Sequence, residues 1–246
     1  MKSFLDVCYS LEHKQYLDIH LPECESFPVL VYFHGGGFES GDKAHEMVFF
    51  KYMTDKGIAI ASVNYRMYPQ AKYPDFLMDC AEAVAWVIKN ANTYGNVTKV
   101  FVGGSSAGGY ASQMLCFDGS LLAKHGLKAS DISGFIHDAG QPTCHFNVLK
   151  ERGMDFRRIV VDEAAPLYHI KDNENYPPML ILVADDDIPN RYEQTMLVIS
   201  TLKHFGYVEG IELKVMSGKH VGYVNTVDEN GESIFGKVAS EFIFRN

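Results

Sequence analysis

Short apolar runs that alternate with stretches of helical periodicity constrain this chain most. Val29–Phe33, Ile58–Val63, Val100–Val102, Phe135-Ile136, Met179–Ala184 and Ile211–Met216 are each too brief for an ordinary helix. Runs that are apolar almost throughout read as strands buried on both faces. Ile211–Met216 intersperses charges and suits a strand nearer an edge. Between the runs, Pro74–Asn90 carries Leu77, Ala81, Val84, Ala85 and Ile88 at helical spacing. Gly108–Phe117, Tyr192–Phe205 (stopping at Gly206) and Ser233–Phe244 are further helices. This alternation predicts an α/β fold, a mostly parallel sheet with helices on both faces. Phe4–Leu21 is a candidate for antiparallel edge strands. No repeat or linker divides residues 1–246, which read as a single domain. Residues Gln141–Tyr176 are long for a connection and are expected to form a small cap insert over the C-terminal edge of the sheet, where such sheets bind ligands.

Composition excludes several classes. The formal net charge of −9 repels phosphate backbones, and no Lys/Arg cluster offsets it, so nucleic acid is not an expected partner. Apolar runs fall far short of the ~18 residues of a membrane helix, so no membrane association is expected. Met1–Leu11 lacks a basic start followed by an apolar stretch, so no signal peptide is expected and a cytoplasmic location follows by default. On that reading the Asn96-Val97-Thr98 sequon is incidental. Five cysteines at wide spacings, with no CxxC pair, read as free thiols rather than a metal or redox site. A homodimer stays open.

Gly104-Ser105-Ser106-Ala107-Gly108 matches G-x-S-x-G, directly after a strand and before a helix. That context makes Ser106 the candidate nucleophile: a sharp strand-to-helix turn lifts its oxygen out of the sheet, and the small neighbours let backbone pass closely. The helix N-terminus behind it favours developing negative charge. Ser105, whose flanks do not fit, reads as a turn residue. His34-Gly35-Gly36-Gly37 ends the Val29–Phe33 run. Unobstructed amides at Gly36 and Gly37, with that of Ala107, are the expected oxyanion hole. His34 reads as structural, buried beneath the loop.

An elbow of this kind is followed along the chain by an acid and then a histidine. Asp185, Asp186 and Asp187 end the Met179–Ala184 run. Past them stand only His204, inside a helix, and His220, in a loop beyond the last strand. His220 is therefore the expected base. Asp187 is the preferred acid on its position past the strand end, ahead of Asp186. Three successive carboxylates cannot all converge on an ion, so no metal and no cofactor are expected.

These residues resemble the HGGG-bearing esterases of the α/β-hydrolase fold, including hormone-sensitive-lipase-like and bacterial acetyl- or feruloyl-esterase-like enzymes. The likeness runs through His34-Gly35-Gly36-Gly37-Phe38, Gly41-Asp42, Asn64-Tyr65-Arg66, Pro69, Tyr73-Pro74, Asp79, Ala83, Trp86, Ser106-Ala107-Gly108-Gly109, Asp187 and His220-Val221-Gly222-Tyr223. Ser105 replaces the aspartate that usually precedes the nucleophile in the hormone-sensitive-lipase-like group. Only 28 residues precede Val29, too few for that group's N-terminal cap. The compact acetyl- or feruloyl-esterase-like branch fits better.

The resemblance implies a serine carboxylesterase acting through an acyl-enzyme on a small-molecule ester with a short acyl group, an acetylated sugar or a phenolic ester among them. Phe38 and Tyr68 are candidate walls of the substrate pocket, though both also suit ordinary aromatic packing. An amidase or aryl formamidase using the same triad is the alternative. A non-catalytic binding protein of the same fold is a third reading.

Overall fold

A computed structural model of the chain describes residues 1–246. Its frame is one eight-stranded sheet in the order β1-β2-β4-β3-β5-β6-β7-β8. The strands are β1 (Lys2–Ser10), β2 (Gln15–Leu21), β3 (Ser26–Phe33), β4 (Ala59–Val63), β5 (Asn96–Ser105), β6 (Gly134–Asp138), β7 (Met179–Asp186) and β8 (Ile211–Lys219). β1 and β2 form an antiparallel hairpin whose second strand joins β4 antiparallel, and every pairing from β4 through β3 to β8 is parallel. β8 is the edge, as its interspersed charges predict.

Eight α-helices, besides two short 3-10 turns, accompany the sheet: α1 (Met47–Asp55), α2 (Asp75–Asn90), α3 (Ala107–Phe117), α4 (Gly119–Ala123), α5 (Phe146–Glu151), α6 (Pro166–His169), α7 (Arg191–His204) and α8 (Ile234–Arg245). The two-residue period of a strand sorts the core into two layers. Val29, Val31 and Phe33 of β3 point to the layer under α2, α3 and α7. Leu30 and Tyr32 point to the layer under α1 and α8. The periodicity did not reveal α1 or the short helices α4, α5 and α6; of these α1 is the longest. α1 has no side-chain cap and is held by Phe49, Phe50 and Met53, all fully buried. No helix is long and apolar enough to cross a membrane.

Chain order reverses direction across the sheet between β3 and β5. After β3 the chain adds β4 on one side; β5 then pairs with the other side of β3, and β6 to β8 follow outward. Phe33 is in register with Gly104, so the glycine loop after β3 and the turn after β5 emerge side by side. A crevice at such a switch point is where open parallel sheets place ligands.

Two further clamps fix this edge. Asn64 accepts from the Lys43 amide (2.6 Å) and donates to Asp42 (2.9 Å), tying the end of β4 to the segment that follows the glycine loop. Arg66 grips buried Asp79 of α2 through Nε and Nη2, and its backbone amide donates to the same carboxylate at 2.9 Å. These contacts account structurally for the Asn64-Tyr65-Arg66 and Asp79 signature. Residues 141–176 run between β6 and β7, carry α5 and α6, and are joined to the sheet edge: Asn147 donates to the Gly37 carbonyl at 2.5 Å and Tyr110 to that of Ala164 at 2.7 Å.

Candidate active site

Ser106 lies in the turn between β5 and α3 with φ 56° and ψ −111°. A non-glycine residue at positive φ is costly and persists only where its surroundings enforce it. Here Gly104 and Gly108 let the enforcement happen: a Cβ on Gly108 would lie 2.0 Å from the Phe33 carbonyl oxygen. The Ser106 amide donates to the Asp138 carbonyl at 2.8 Å, anchoring the turn to the end of β6.

His220 follows β8 directly. Its Nε2 lies 2.8 Å from the Ser106 Oγ, and its Nδ1 lies 2.6 Å from Asp187 Oδ1. With Nδ1–H donating to the carboxylate, Nε2 is left to accept the serine proton. The Asp187 side chain is almost fully buried. Burial works to raise its pKa, but the His220 hydrogen bond and charge, with amides from Ala184 and Ile188, outweigh that and hold it below the usual carboxylate range. The neighbouring aspartates point elsewhere. Asp185 accepts from the Gly218 amide at 2.8 Å and Asp186 pairs with Lys219, both exposed. His204 is exposed at the end of α7.

The glycine loop supplies free donors. The amides of Gly36 and Gly37 donate to no group of the protein. Their peptide planes are nonetheless fixed through the carbonyls, because a trans peptide points C=O and N–H in opposite directions. His34 Nδ1 bonds the Gly35 carbonyl at 2.7 Å, which sets the Gly36 N–H. The amides of Glu39 and Ser40 hold the Gly36 carbonyl at 3.0 and 3.1 Å, which sets the Gly37 N–H. Gly36 has φ 112°, and a Cβ there would lie 2.0 Å from the Ser40 carbonyl oxygen, so only glycine fits. His34 is fully buried, stacked on Tyr65 at 4.4 Å, and burial lowers its pKa. Ala107 opens α3, where the amide has no partner within the helix. A Cβ added to Gly35 would meet that of Ser106 at 3.4 Å, so loop and elbow touch.

Two sequence readings, those of Phe38 and Ser105, need correction. Phe38 is not a pocket wall. At φ 61° it turns inward, is fully buried and stacks on Phe76 at 4.1 Å. Tyr68 faces a separate surface cleft, where its hydroxyl donates to Glu151 at 2.6 Å. Ser105 is not a turn residue but the buried end of β5, bonded to Asp138 Oδ2 at 2.5 Å and to the Tyr32 hydroxyl at 2.8 Å.

Asp138 escaped the sequence reading. It is fully buried at the end of β6 and accepts from Ser105 and, at 2.5 Å, from the Tyr223 hydroxyl. Burial pushes its pKa up to about 6, and the Ser105 and Tyr223 hydrogen bonds restrain the rise. The carboxyl thus links the elbow to the loop carrying His220. Nothing in the spacing of Asp138 announces this, because the connection is made only in three dimensions.

The sheet, its switch point and the elbow together define an α/β-hydrolase. The chain is 30% identical to probable carboxylesterase 7 of Arabidopsis thaliana across 97% of its own length and 86% of that protein's. It belongs to the carboxylesterase family of α/β-hydrolases. Residues 17–126 match the family described as BD-FAE. Tuliposide A-converting enzyme b1 of Tulipa gesneriana is 33% identical over 103 residues, but that stretch is 37% of this chain and 27% of the tulip enzyme. The chain thus spans about a quarter of the length of that relative. In fold, an esterase from Thermogutta terrifontis matches with a TM-score of 0.77 at 22% identity, covering 99% of this chain and 91% of that one. Esterase B from Lactobacillus Rhamnosis matches with a TM-score of 0.79 at 17% identity, covering 99% and 85%.

Proposed function

We propose that this protein is a serine esterase that hydrolyses short-chain carboxylic esters through an acyl-enzyme. The observation that carries this reading is the continuous hydrogen-bonded chain from Ser106 through His220 to Asp187 beside two unpartnered glycine amides. His220 takes the Ser106 proton as Oγ attacks the ester carbonyl. The amides of Gly36, Gly37 and Ala107 stabilise the resulting oxyanion. His220 then protonates the departing alcohol, leaving an acyl-serine. Water, deprotonated by His220, attacks that acyl group, releasing the carboxylic acid and returning the proton to Ser106. Asp187 fixes the imidazole tautomer and stabilises its protonated form.

Residues 141–176 act as a cap-like insert of a single domain. A small substrate suits the cleft that adjoins the triad at Ile188, next to Asp187. That cleft has a volume of about 350 Å³ and is lined by three arginines, Gln141, Asn190 and Gln194 as well as apolar side chains. Kinetics on aryl esters from acetyl to decanoyl, with an aryl formamide in parallel, test the reading. It requires the highest kcat/KM between acetyl and butyryl and little turnover of the formamide. Faster turnover of decanoyl esters or of the formamide overturns it.

A further inference from the structure

We infer that the cleft beside the triad is an anion site, so that the substrate is an ester carrying a carboxylate, bound by Arg191. The inference deepens the esterase reading and rests on it. The cleft lies against the site on two sides. Phe146 lines it, and a Cβ on Gly37 would stand 3.1 Å from that ring. Ile188 also lines it, and its amide donates to Asp187 Oδ1 at 2.8 Å.

The charge of the lining is at odds with the rest of the chain. The protein carries a net charge of −9, yet Arg157, Arg158 and Arg191 line this cleft with no acidic residue among their neighbours in it. Arg157 is neutralised by Asp155. Arg158 has no ion-pair partner. Arg191 has none either, although it is only 5% exposed. A buried charge normally has a partner, because removing it from water is expensive. Burial lowers the Arg191 pKa to about 10, with the Asp187 charge acting against that.

The guanidinium is held but not satisfied. Nη1 donates to the Ala139 carbonyl, which aims the group. Nε is buried with no partner. Nη2 makes no hydrogen bond and is not among the buried unpartnered atoms, so it is accessible, in a residue that lines the cleft. Arg191 also opens the 14-residue helix α7, whose N-terminus favours a negative charge. The carboxamide of Gln194, one turn on, makes no hydrogen bond, and its Oε1 is buried. Its amide can present N–H₂ by rotation. A planar fork and an amide converging on one cleft suit a carboxylate.

The carboxylate can belong to the acyl or the alcohol side of the ester, and paired substrates separate these. Monomethyl glutarate against methyl butyrate reports the acyl side. 3-Acetoxybenzoate against phenyl acetate reports the alcohol side. In one pair the charged ester has the higher kcat/KM. Arg191→Gln lowers that charged-to-neutral ratio about tenfold to hundredfold, mainly through KM, and Arg191→Lys restores part of it. Arg158→Gln, at an exposed position, lowers the same ratio by a few-fold and serves if Arg191→Gln fails to fold. Neutral esters turned over at a charged-to-neutral ratio of one or below in both pairs, or a ratio unmoved by either substitution, overturn the inference and leave the esterase reading standing. Failure to turn over any of the four, with Ser106 unlabelled by a fluorophosphonate, removes both.

Discussion

His220 Nε2 sits 2.8 Å from Ser106 Oγ although the two residues are 114 positions apart in the chain. Neither residue alone determines that distance. It follows from β8 lying at the sheet edge and β5 at its centre, with the loop after β8 folding back over the strand ends. Tyr223, three residues past His220, is drawn down onto Asp138, which also bonds the serine preceding the nucleophile. Ser106 and His220 are thus positioned by one buried carboxyl as well as by each other.

Ser106→Ala and His220→Ala are each expected to lower kcat by about 10⁶, and the double variant by no more than either alone, because the pair acts as a unit. Thermal unfolding of Ser106→Ala should stay close to wild type, since Oγ bonds only His220. Single-turnover assays on an aryl acetate would check this. Additive losses in the double variant would show that the two groups do not share one proton transfer.

The three consecutive aspartates separate by geometry. Asp187→Asn should cost on the order of 10⁴ in kcat by favouring the wrong imidazole tautomer. Asp186→Asn removes only an exposed pairing with Lys219 and should change kcat less than about twofold. Equal losses in the two variants would contradict the assignment of Asp187.

Much of this architecture could be read from the chain. Strands buried on both faces write themselves as apolar runs, as β3, β4, β6 and β7 do. The elbow, the glycine loop and His220 were legible because strained turns and fixed chain order restrict residue types. What escaped was set by tertiary contact. Phe38 follows a glycine loop that opens toward the site, yet its own positive φ turns it into the core. α1 has no cap and a crowded apolar pattern, so periodicity missed it. Asp138 and Arg191 look like ordinary charged residues until burial makes them exceptional.

Gly36→Ala tests the oxyanion loop. The new methyl group would overlap the Ser40 carbonyl, so the peptide carrying the Gly37 N–H must rotate. A donor of this kind is worth about 10²–10³ in kcat. Gly36→Ala should therefore lose at least that much, with KM changed far less. Fluorophosphonate labelling of Ser106 should slow in parallel, since it too develops a charged oxygen. Retention of wild-type kcat would place the donors elsewhere.

Asp138 makes stability depend on pH in an unusual direction. Burial raises the pKa of its carboxyl to about 6 in the folded protein, against 3.8 for an ordinary aspartate. Between those values the folded state binds the extra proton, so this residue's contribution to stability falls as pH rises from about 4 to 6. A shift of about two units corresponds to about 3 kcal/mol. Buried His137 works in the same window with opposite sign: its pKa is depressed to about 3, so its contribution is lost as pH falls below 6.5. Partly buried Glu46, its pKa raised by burial to about 7, adds to the decline, so the wild-type profile alone mixes all three. Subtracting the profile of Asp138→Asn isolates the Asp138 carboxyl, because His137 and Glu46 are common to both proteins. Urea unfolding at pH 4, 5, 6 and 7 should show the stability of wild type minus variant declining across that range by up to about 3 kcal/mol. A difference that stays flat would mean that Asp138 ionises in the folded protein as readily as in the unfolded one.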